Sequence, residues 1–438
     1  MKIKGINKLR NMGIVLFSST ILVVSLDNNK VNAVETVQSP QSRMMNFVTD
    51  DTPLDLDPTL ETFVISNLND AGIFRSKEPY TYGDLKKLEI FSVYSKGIPP
   101  KLQRSLTTIS GLEYATNLKE IVITSEPELK DITPLENLTK ITKLNLTSTS
   151  VTSYESLQKL QSLETLVLGG DYVKDLTPLK KLPNLKILQH SSYPNFFPLD
   201  SVKISDLSAF NDLSGLDGVT INYDDVEDLN PLKNNRNLSW FNLNNNLIKD
   251  LSPLGGNDKL FMISLDNNYV EDLSTLNTMP NLTTAYLSNN KIQSLDVLKD
   301  NKQLRTVYAP NNQISDLSKL RNFFDSMKKY QVPSPDGTIT NTGRVLLSNQ
   351  SINRTIKVKK GTNIKDLNPC LDLNGEAMPM TALTKDGTTF SDEQIQESGS
   401  YAFKTRFDET NSEGVPLNYS ANVVLNIEVI DDSVDMTA

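Results

Sequence analysis

The middle of the chain repeats one pattern of apolar and polar positions every 22 residues, namely Leu-x-Leu-x-x-Asn-x-Ile-x-Asp-Leu-x-x-Leu. The clearest copy begins at Phe241 and ends at Leu254. The copies that follow keep the same spacing, with their last leucines at Leu276, Leu298 and Leu320. Because the first two apolar residues of each copy alternate with other residues, they point to one side of a short strand. The pattern therefore predicts one strand, one turn and one return segment per repeat.

A single repeat of this kind cannot bury its apolar side alone, but stacked repeats can, since each supplies the wall that the next one lacks. Burial of one leucine or isoleucine stabilises the stack by about 1.5–3 kcal/mol. The period lies in the range of leucine-rich repeats, so the sequence predicts an α/β leucine-rich repeat solenoid with a parallel concave sheet. The recurring amides can bond to open backbone groups at the turn, which indicates a structural role for Asn246, Asn268, Asn290 and Asn312.

The earlier copies are looser, and one of them is longer than the rest. A step of 31 residues separates Leu179 from the matching Phe210, where the other steps are 22. The extra residues fall around 191–202, and an insertion of this kind forms a loop on one face of a solenoid. The aromatic residues of this loop are a secondary candidate for partner binding, although packing of both phenylalanines against the solenoid edge is the favoured interpretation: Tyr193, Phe196 and Phe197.

The N-terminus is typical of a secretory signal peptide over residues 1–33. Basic residues precede a mostly apolar run from Met12 to Leu26, and Val31-Asn32-Ala33 fits a cleavage site with small residues. The run is too short and too interrupted for a good membrane span. Loss of this segment, with its five basic residues and one acidic residue, changes the formal net charge from −9 to −13. That acidity argues against a nucleic-acid partner, which requires a basic surface.

The other domain boundaries follow changes of pattern along the chain. Residues 34–51 are predicted to be a flexible leader, and 52–105 a helical N-terminal cap with Asp57 and Pro58 at its first helix start. The repeats extend over 106–342. Strands with alternating apolar residues then predict an all-β, immunoglobulin-like domain over 343–431, followed by an acidic tail at 432–438.

The strand register decides which residues face away from the core. The middle residue of each Leu-x-Leu and its alternating neighbours project from the concave sheet. The chain's single tryptophan, a methionine and two tyrosines fall at such positions in consecutive late repeats, and large aromatics are common anchors of protein interfaces. The predicted partner-binding patch comprises Trp240, Met262, Tyr286 and Tyr308 with the polar residues Asn242, Asn244, Ser264 and Asp266. The alternative is a set of scattered exposed aromatics that need no partner.

The sequence predicts neither an enzyme nor a site for a metal or cofactor. A catalytic centre needs convergent groups, yet the chain has one histidine, His190, at an inward strand position with no serine or cysteine partner evident. The sequence contains no P-loop, dinucleotide motif, Cys/His metal spacing or calcium loop. The single cysteine, Cys370, cannot form an internal disulfide, but oxidation could join two copies through it.

The repeat resembles that of the internalins of Gram-positive bacteria. The likeness is closest in the Asp-x-x-Pro-Leu turns at Asp131–Leu135, Asp175–Leu179, Asp228–Leu232 and Asp250–Leu254. The order of signal, helical cap, repeats and immunoglobulin-like module is similar as well, over roughly residues 52 to 430. The resemblance implies a non-enzymatic protein whose concave face docks a host protein, with a role in adhesion or virulence.

The sequence departs from the wall-anchored internalins because it contains no Leu-Pro-x-Thr-Gly sorting motif and no hydrophobic tail. If the chain is complete, it resembles the secreted, non-anchored members, whereas a missing anchor would place it on the cell surface. The expected molecule is a secreted monomer that binds a host protein. A structural surface protein that binds glycan or cell wall is the alternative, since aromatic side chains also stack on sugars.

Overall fold

The computed structural model describes residues 49–430 except 77–78, 95–97, 99, 171–174, 193–202, 329 and 334–338, together with the strand backbone at 12–17, 20–27 and 30–31. Residues 1–48 and 49–438 are two separate compact units. The first unit contains three antiparallel strands, β1 Met12–Phe17, β2 Thr20–Asp27 and β3 Lys30–Val31. The side chains of this unit lie outside the described residues, as does the acidic tail, so the signal peptide, the leader and the tail stay predictions.

The N-terminal cap contains the predicted helices. α1 spans Pro58–Asp70 and begins where the sequence places it, because the carboxylate of Asp57 accepts hydrogen bonds from two backbone N–H groups of the first turn at 2.9 and 3.2 Å. The short α2 spans Tyr82–Leu85. On α1, the amide of Asn67 exchanges hydrogen bonds of 2.8 and 2.9 Å with the backbone of Ser92, the last residue of the first repeat strand. This contact satisfies the backbone N–H and C=O groups of Ser92 on the edge strand of the sheet.

Within the described residues, ten short parallel strands form the repeat sheet. They are β4 Ile90–Ser92, β5 Glu120–Val122, β6 Lys143–Asn145, β7 Thr165–Val167, β8 Ile187–Ser191, β9 Gly218–Asn222, β10 Trp240–Asn242, β11 Met262–Ser264, β12 Thr284–Tyr286 and β13 Thr306–Tyr308. Short 3-10 helices lie in the return segments, at Leu112–Tyr114, Thr133–Leu135, Glu155–Lys159, Thr177–Lys181, Ser208–Asp212, Asn230–Leu232, Ser252–Leu254, Ser274–Thr278, Asp296–Asp300 and Ser318–Leu320, and one more, Pro100–Leu102, precedes them. The second residue of every strand is buried, as the apolar alternation predicts. The solenoid prediction is confirmed.

The asparagine column is a ladder of hydrogen bonds between neighbouring repeats. The side-chain oxygen of Asn268 accepts a hydrogen bond of 3.0 Å from the backbone N–H of Ile248 in the preceding repeat. Its amide nitrogen donates to the carbonyl oxygens of Leu243 and Leu265 at 2.9 and 3.1 Å. Equivalent bonds are made by Asn246, Asn290 and Asn312. Because all four residues are buried, each satisfies backbone groups that water cannot reach.

The chain after the repeats forms further strands. The elements are helix α3 Arg321–Ser326, β14 Tyr330–Pro333, β15 Ile339–Thr342, β16 Arg344–Lys359, the 3-10 helix Ile364–Leu367, β17 Met380–Lys385, β18 Thr388–Thr389, β19 Gly399–Thr410 and β20 Pro416–Ile430. One sheet runs from the repeats into this region in the order β13-β16-β20-β19-β17-β18. The all-β character of the C-terminal domain is confirmed, and its assignment as immunoglobulin-like stays a prediction.

The first long strand of the C-terminal domain is also the last turn of the solenoid. Strand β16 pairs in parallel with β13, and its Gln350 takes the place of the ladder asparagine. The Gln350 side-chain oxygen accepts from the backbone N–H of Ile314 at 3.0 Å, and its nitrogen donates to the carbonyl oxygens of Ala309 and Leu347 at 2.9 and 3.1 Å. The ladder therefore continues across the predicted domain boundary.

Buried polar contacts join the C-terminal domain to the end of the repeats. The hydroxyl of Tyr419 donates a hydrogen bond of 2.9 Å to the carbonyl oxygen of Ile314. The amide of Asn411 donates to the carbonyl oxygens of Phe324 and Met327 at 2.6 and 3.0 Å. The two Asn411 bonds satisfy carbonyl oxygens at the C-terminal end of α3, one within the helix and one at its cap residue.

Candidate protein-binding surface

One face of the sheet presents three rows of side chains that point away from the core. Eleven parallel strands, β4–β13 and β16, stay in register, so residues at equal positions stand side by side. The first row consists of Ile90, Glu120, Lys143, Thr165, Ile187, Gly218, Trp240, Met262, Thr284, Thr306 and Arg344. The second row, two residues later, consists of Ser92, Val122, Asn145, Val167, Gln189, Thr220, Asn242, Ser264, Tyr286, Tyr308 and Leu346. The third row, two residues later again, consists of Tyr94, Thr124, Thr147, Gly169, Ser191, Asn222, Asn244, Asp266, Ser288, Pro310 and Ser348. We call these rows the outer sheet face, which is the face predicted to be concave.

The outer sheet face carries fewer charged residues than the chain as a whole. Its 33 positions hold four charged residues, Glu120, Lys143, Asp266 and Arg344, whereas 22% of the whole chain is charged. Two of the four neutralise each other, because the ammonium of Lys143 lies 3.7 Å from the carboxylate of Glu120. Charged residues are depleted in the cores of protein interfaces, so this distribution is the one expected of a surface that a protein partner covers.

Trp240 and Met262 lie next to each other in the first row, as predicted. Their backbones are paired in the register of β10 and β11, and both side chains are half-buried. The indole of Trp240 leans across the neighbouring strand onto the backbone of Gly218. Together they form an apolar surface on the outer sheet face that water reaches only in part.

Tyr286 and Tyr308 form a stacked pair in the second row. Their ring centroids are 5.4 Å apart at an interplanar angle of 31°, and the Tyr308 hydroxyl accepts a hydrogen bond of 3.3 Å from Arg344. Burial raises the pKa of Tyr286 above its ordinary value, and the neighbouring Tyr308 and Asp266 act in the same direction. Both rings are half-buried, and Tyr286 presents a neutral phenol at physiological pH. The four predicted anchors therefore occupy consecutive strands in two groups, one in each row.

The polar residues of the predicted patch are largely engaged with the sheet itself. The side chain of Asn244 accepts from the backbone N–H of Asp266 at 2.7 Å, and that of Asp266 accepts from Ser288 at 2.6 Å. The hydroxyl of Ser264 is buried and donates to Asn244 at 2.9 Å. Asn242 makes a longer contact of 3.3 Å with the backbone of Asn244 and stays half-exposed. Of the four residues, Asn242 therefore has the side chain that is held least tightly by hydrogen bonds within the sheet.

Two apolar residues of the outer sheet face lie beside the predicted patch but are not among its predicted members. Ile187 stands two strands before Trp240 in the first row, and Leu346 extends the tyrosine pair in the second. Both are half-buried. Leu346 belongs to β16, where the spacing of 22 has ended, so the repeat pattern gave no signal for it. Ile187, in contrast, stands at the same position in its repeat as Trp240 does, so the spacing of the repeats is sufficient to find it.

His190 lies in a buried polar cluster that the sequence analysis did not foresee. Its Nε2 is 3.1 Å from the hydroxyl of Ser192 and 3.5 Å from the carboxylate of Asp224, and all three side chains are buried. Ser192 also donates to Asp224 at 3.2 Å. A serine partner therefore does exist, contrary to the expectation from sequence, because Ser192 follows directly after β8, two residues from the histidine.

This cluster does not have the geometry of a catalytic triad. In a triad the carboxylate orients one ring nitrogen and the serine uses the other, whereas Asp224 and Ser192 both approach Nε2 of His190. Asp224 occupies the position of a ladder asparagine and accepts from the backbone N–H of Ile204 at 2.9 Å. We therefore interpret the cluster as a part of the ladder. The secondary candidates Tyr193, Phe196 and Phe197 lie outside the described residues.

The remaining reactive groups are also placed structurally. Cys370 is completely buried, and the hydroxyl of Tyr419 lies 3.4 Å from its sulfur. Burial raises the pKa of the Cys370 thiol, which keeps it protonated at neutral pH. The disulfide between two copies that the sequence allowed would need local unfolding. In the part of the chain that the structure describes, no three His, Cys, Asp or Glu side chains form a group that could hold a metal ion.

Comparison with known proteins supports the repeat assignment. A family model described as leucine-rich repeats, in two copies, matches residues 280–322. The structure of an internalin (inlF) from Listeria monocytogenes matches at 25% identity with a TM-score of 0.52, over 68% of this chain and 83% of the internalin. The chain is a leucine-rich repeat protein that resembles the internalins. No curated protein matches the sequence.

Two further Listeria monocytogenes structures are similar to this internalin-like protein. An internalin C2 (inlC2) is 27% identical over 57% of this chain and 93% of its own, with a TM-score of 0.39. The functional domain of InlJ, which includes a cysteine ladder, is 15% identical over 83% of this chain and 96% of its own, with a TM-score of 0.36. Among the residues that the structure describes, no helix of the internalin-like protein combines the length and the hydropathy needed to span a membrane.

Proposed function

We propose that this internalin-like protein is secreted and binds a host protein through its outer sheet face, as an adhesion or virulence factor. The observation that carries the proposal is the low share of charged residues on that face, combined with an aromatic and aliphatic patch on its later strands. Interface cores are poor in charge and rich in tyrosine, tryptophan and methionine. The likeness to an internalin of Listeria monocytogenes supports the same class of function.

The charge of the molecule favours a protein over a nucleic acid as partner. The whole chain has a formal net charge of −9, and the outer sheet face carries no basic stripe. A partner that approached this face would have to supply apolar and neutral polar groups, because few charges are present to pair with its own. The expected anchors are Trp240, Met262, Tyr286 and Tyr308, since aromatic residues dominate interface energetics.

A capture experiment tests this proposal. The chain without residues 1–33 is immobilised beside a triple variant, Trp240→Ala, Tyr286→Ala and Tyr308→Ala, and both are exposed to detergent-solubilised host-cell proteins. We expect a protein that the unaltered chain retains and the triple variant loses. Loss of even one central anchor typically weakens an interface by about 2 kcal/mol or more.

A second triple variant provides the matched control. Phe74, Leu247 and Tyr269 are exposed apolar residues outside the three rows, with exposed fractions of 74%, 36% and 41%. Their replacement by alanine also removes three large apolar side chains from the surface and should leave retention unchanged. If the control variant loses the protein and the outer-face variant keeps it, the assignment of the face is wrong.

The same variants separate the proposal from a glycan-binding role. Trp240 and the tyrosine pair are half-buried aromatic residues beside neutral polar groups, a combination that also suits sugars. An array of host and cell-wall glycans, probed with the unaltered chain and the outer-face variant, distinguishes the two. Glycan binding that the outer-face variant loses, with no protein retained, would support the alternative of a glycan-binding or cell-wall-binding surface protein.

A further inference from the structure

Gly218 is the one residue of the first row without a side chain, and it is paired with Trp240 in the sheet register. Its backbone does not adopt the left-handed conformation that favours glycine. Glycine inside a strand packs nothing and loses more conformational freedom on folding than any other residue. The backbone of β9 therefore gives no reason for a glycine at this position.

The indole of Trp240 occupies the place that a side chain at position 218 would take. A Cβ built on Gly218 would lie 2.2 Å from Cζ2, 2.3 Å from Cε2 and 2.7 Å from Nε1 of Trp240. Non-bonded carbon atoms pack at about 3.5–4.0 Å, so even the methyl group of alanine cannot fit without a shift of the ring or the strand. The observed position of the indole therefore requires a glycine at position 218.

We infer that Gly218 is a positioning residue, which seats the indole of Trp240 on the outer sheet face and fixes the orientation of the proposed anchor. The effect of Gly218 on partner binding rests on the proposed function, whereas its effect on the position of the indole does not. With the ring in this place, Ile187, Trp240 and Met262 follow each other along the first row without a gap at the glycine. A ring that is already held in one orientation loses less conformational freedom when a partner binds.

Fluorescence tests the seating directly because Trp240 is the single tryptophan of the chain. In a Gly218→Ala variant we expect the emission maximum to move to longer wavelength and the acrylamide quenching constant to rise, since the displaced ring gains water contact. Gly215→Ala is the matched control, because a Cβ there meets its nearest atom at 3.6 Å, an ordinary contact. Identical emission and quenching in Gly218→Ala and the unaltered chain would overturn the inference.

A double-variant cycle keeps the test decisive if Gly218→Ala folds poorly. We expect Gly218→Ala to lower the melting temperature when Trp240 is present and to leave it unchanged or raise it in a Trp240→Ala background. The physical reason is that alanine suits a strand better than glycine once the clash with the ring has been removed. An equal loss in both backgrounds would show that Gly218 serves the backbone and would refute the positioning role.

The binding consequence is measured on any host protein that the unaltered chain retains. We expect Gly218→Ala to weaken retention at least about tenfold, as loss of a central aromatic anchor does, while Gly215→Ala retains it fully. Unchanged retention in a variant with displaced fluorescence would remove Trp240 from the interface. If the unaltered chain retains no protein, the proposed function fails, and fluorescence still decides the seating.

Discussion

Removal of one rung of the asparagine ladder should destabilise the solenoid strongly. In an Asn268→Ala variant the buried N–H of Ile248 loses its acceptor, and the carbonyl oxygens of Leu243 and Leu265 each lose a donor. A buried donor left without a partner costs about 1–3 kcal/mol, and each lost hydrogen bond to a carbonyl about 0.5–1.5 kcal/mol. The expected decrease in the free energy of unfolding is therefore about 2–6 kcal/mol.

Urea unfolding followed by far-UV circular dichroism measures this decrease, with the m-value as a check that the same structure unfolds. Glu271→Ala is the control, because Glu271 is an exposed residue of the same repeat. A surface substitution of this kind should change stability by about 0.5 kcal/mol or less. A decrease below about 1 kcal/mol for Asn268→Ala, with an unchanged m-value, would refute the reasoning, since it would show that the ladder bonds are replaced by others.

Three further predictions follow from the structure. Burial alone would raise the pKa of Asp84, but the hydrogen bonds from Arg75, Lys87 and Thr81 together outweigh it and hold the pKa at about 2, below its ordinary 3.8. The ionised Asp84 side chain thus stabilises the fold by about 2 kcal/mol above pH 4, and this stabilisation is lost as the pH falls towards 2. Between pH 4 and pH 2, the melting temperature of an Asp84→Asn variant should therefore change less than that of the unaltered chain. The buried Cys370 should not react with a thiol reagent in the folded protein, nor form a dimer on a non-reducing gel, until denaturant is added. Gln350→Ala should lower the free energy of unfolding in urea by about 2–4 kcal/mol, because it removes the hydrogen bonds that Gln350 makes within the ladder. A decrease under about 1 kcal/mol, close to the effect of a surface substitution, would contradict this role.

The repeat region could be predicted from the sequence because its constraints are local and periodic. The alternation of apolar residues around Phe241 determines which side chains enter the core, and the same offset places Trp240 and Asn242 on the opposite face. The helix start at Asp57 was equally predictable, since the capping interaction involves neighbouring residues. In each of these two elements, the residues that determine the local structure lie within a few positions of each other in the sequence.

Features that depend on contacts between distant segments could not be predicted in the same way. Gln350 joins the ladder 38 residues after Asn312 and carries a longer side chain, so neither its spacing nor its residue type follows the repeat. Asp224 meets His190 and Ser192 because strands β8 and β9, which are distant in sequence, pair in the sheet. The seating of Trp240 on a neighbouring glycine depends on the direction in which a side chain leans, which a pattern of polar and apolar residues does not encode.

The most direct test of the central claim is site-specific photocrosslinking from the outer sheet face. A photoreactive benzoylphenylalanine replaces Asn242, which is half-exposed between the two groups of anchors, and in a separate variant it replaces Tyr269, which is exposed outside the three rows. Each variant is incubated with detergent-solubilised host-cell proteins, irradiated and analysed by mass spectrometry. The account predicts a covalent adduct with a defined host protein from position 242 and none from position 269. Adducts from position 269 alone would contradict it.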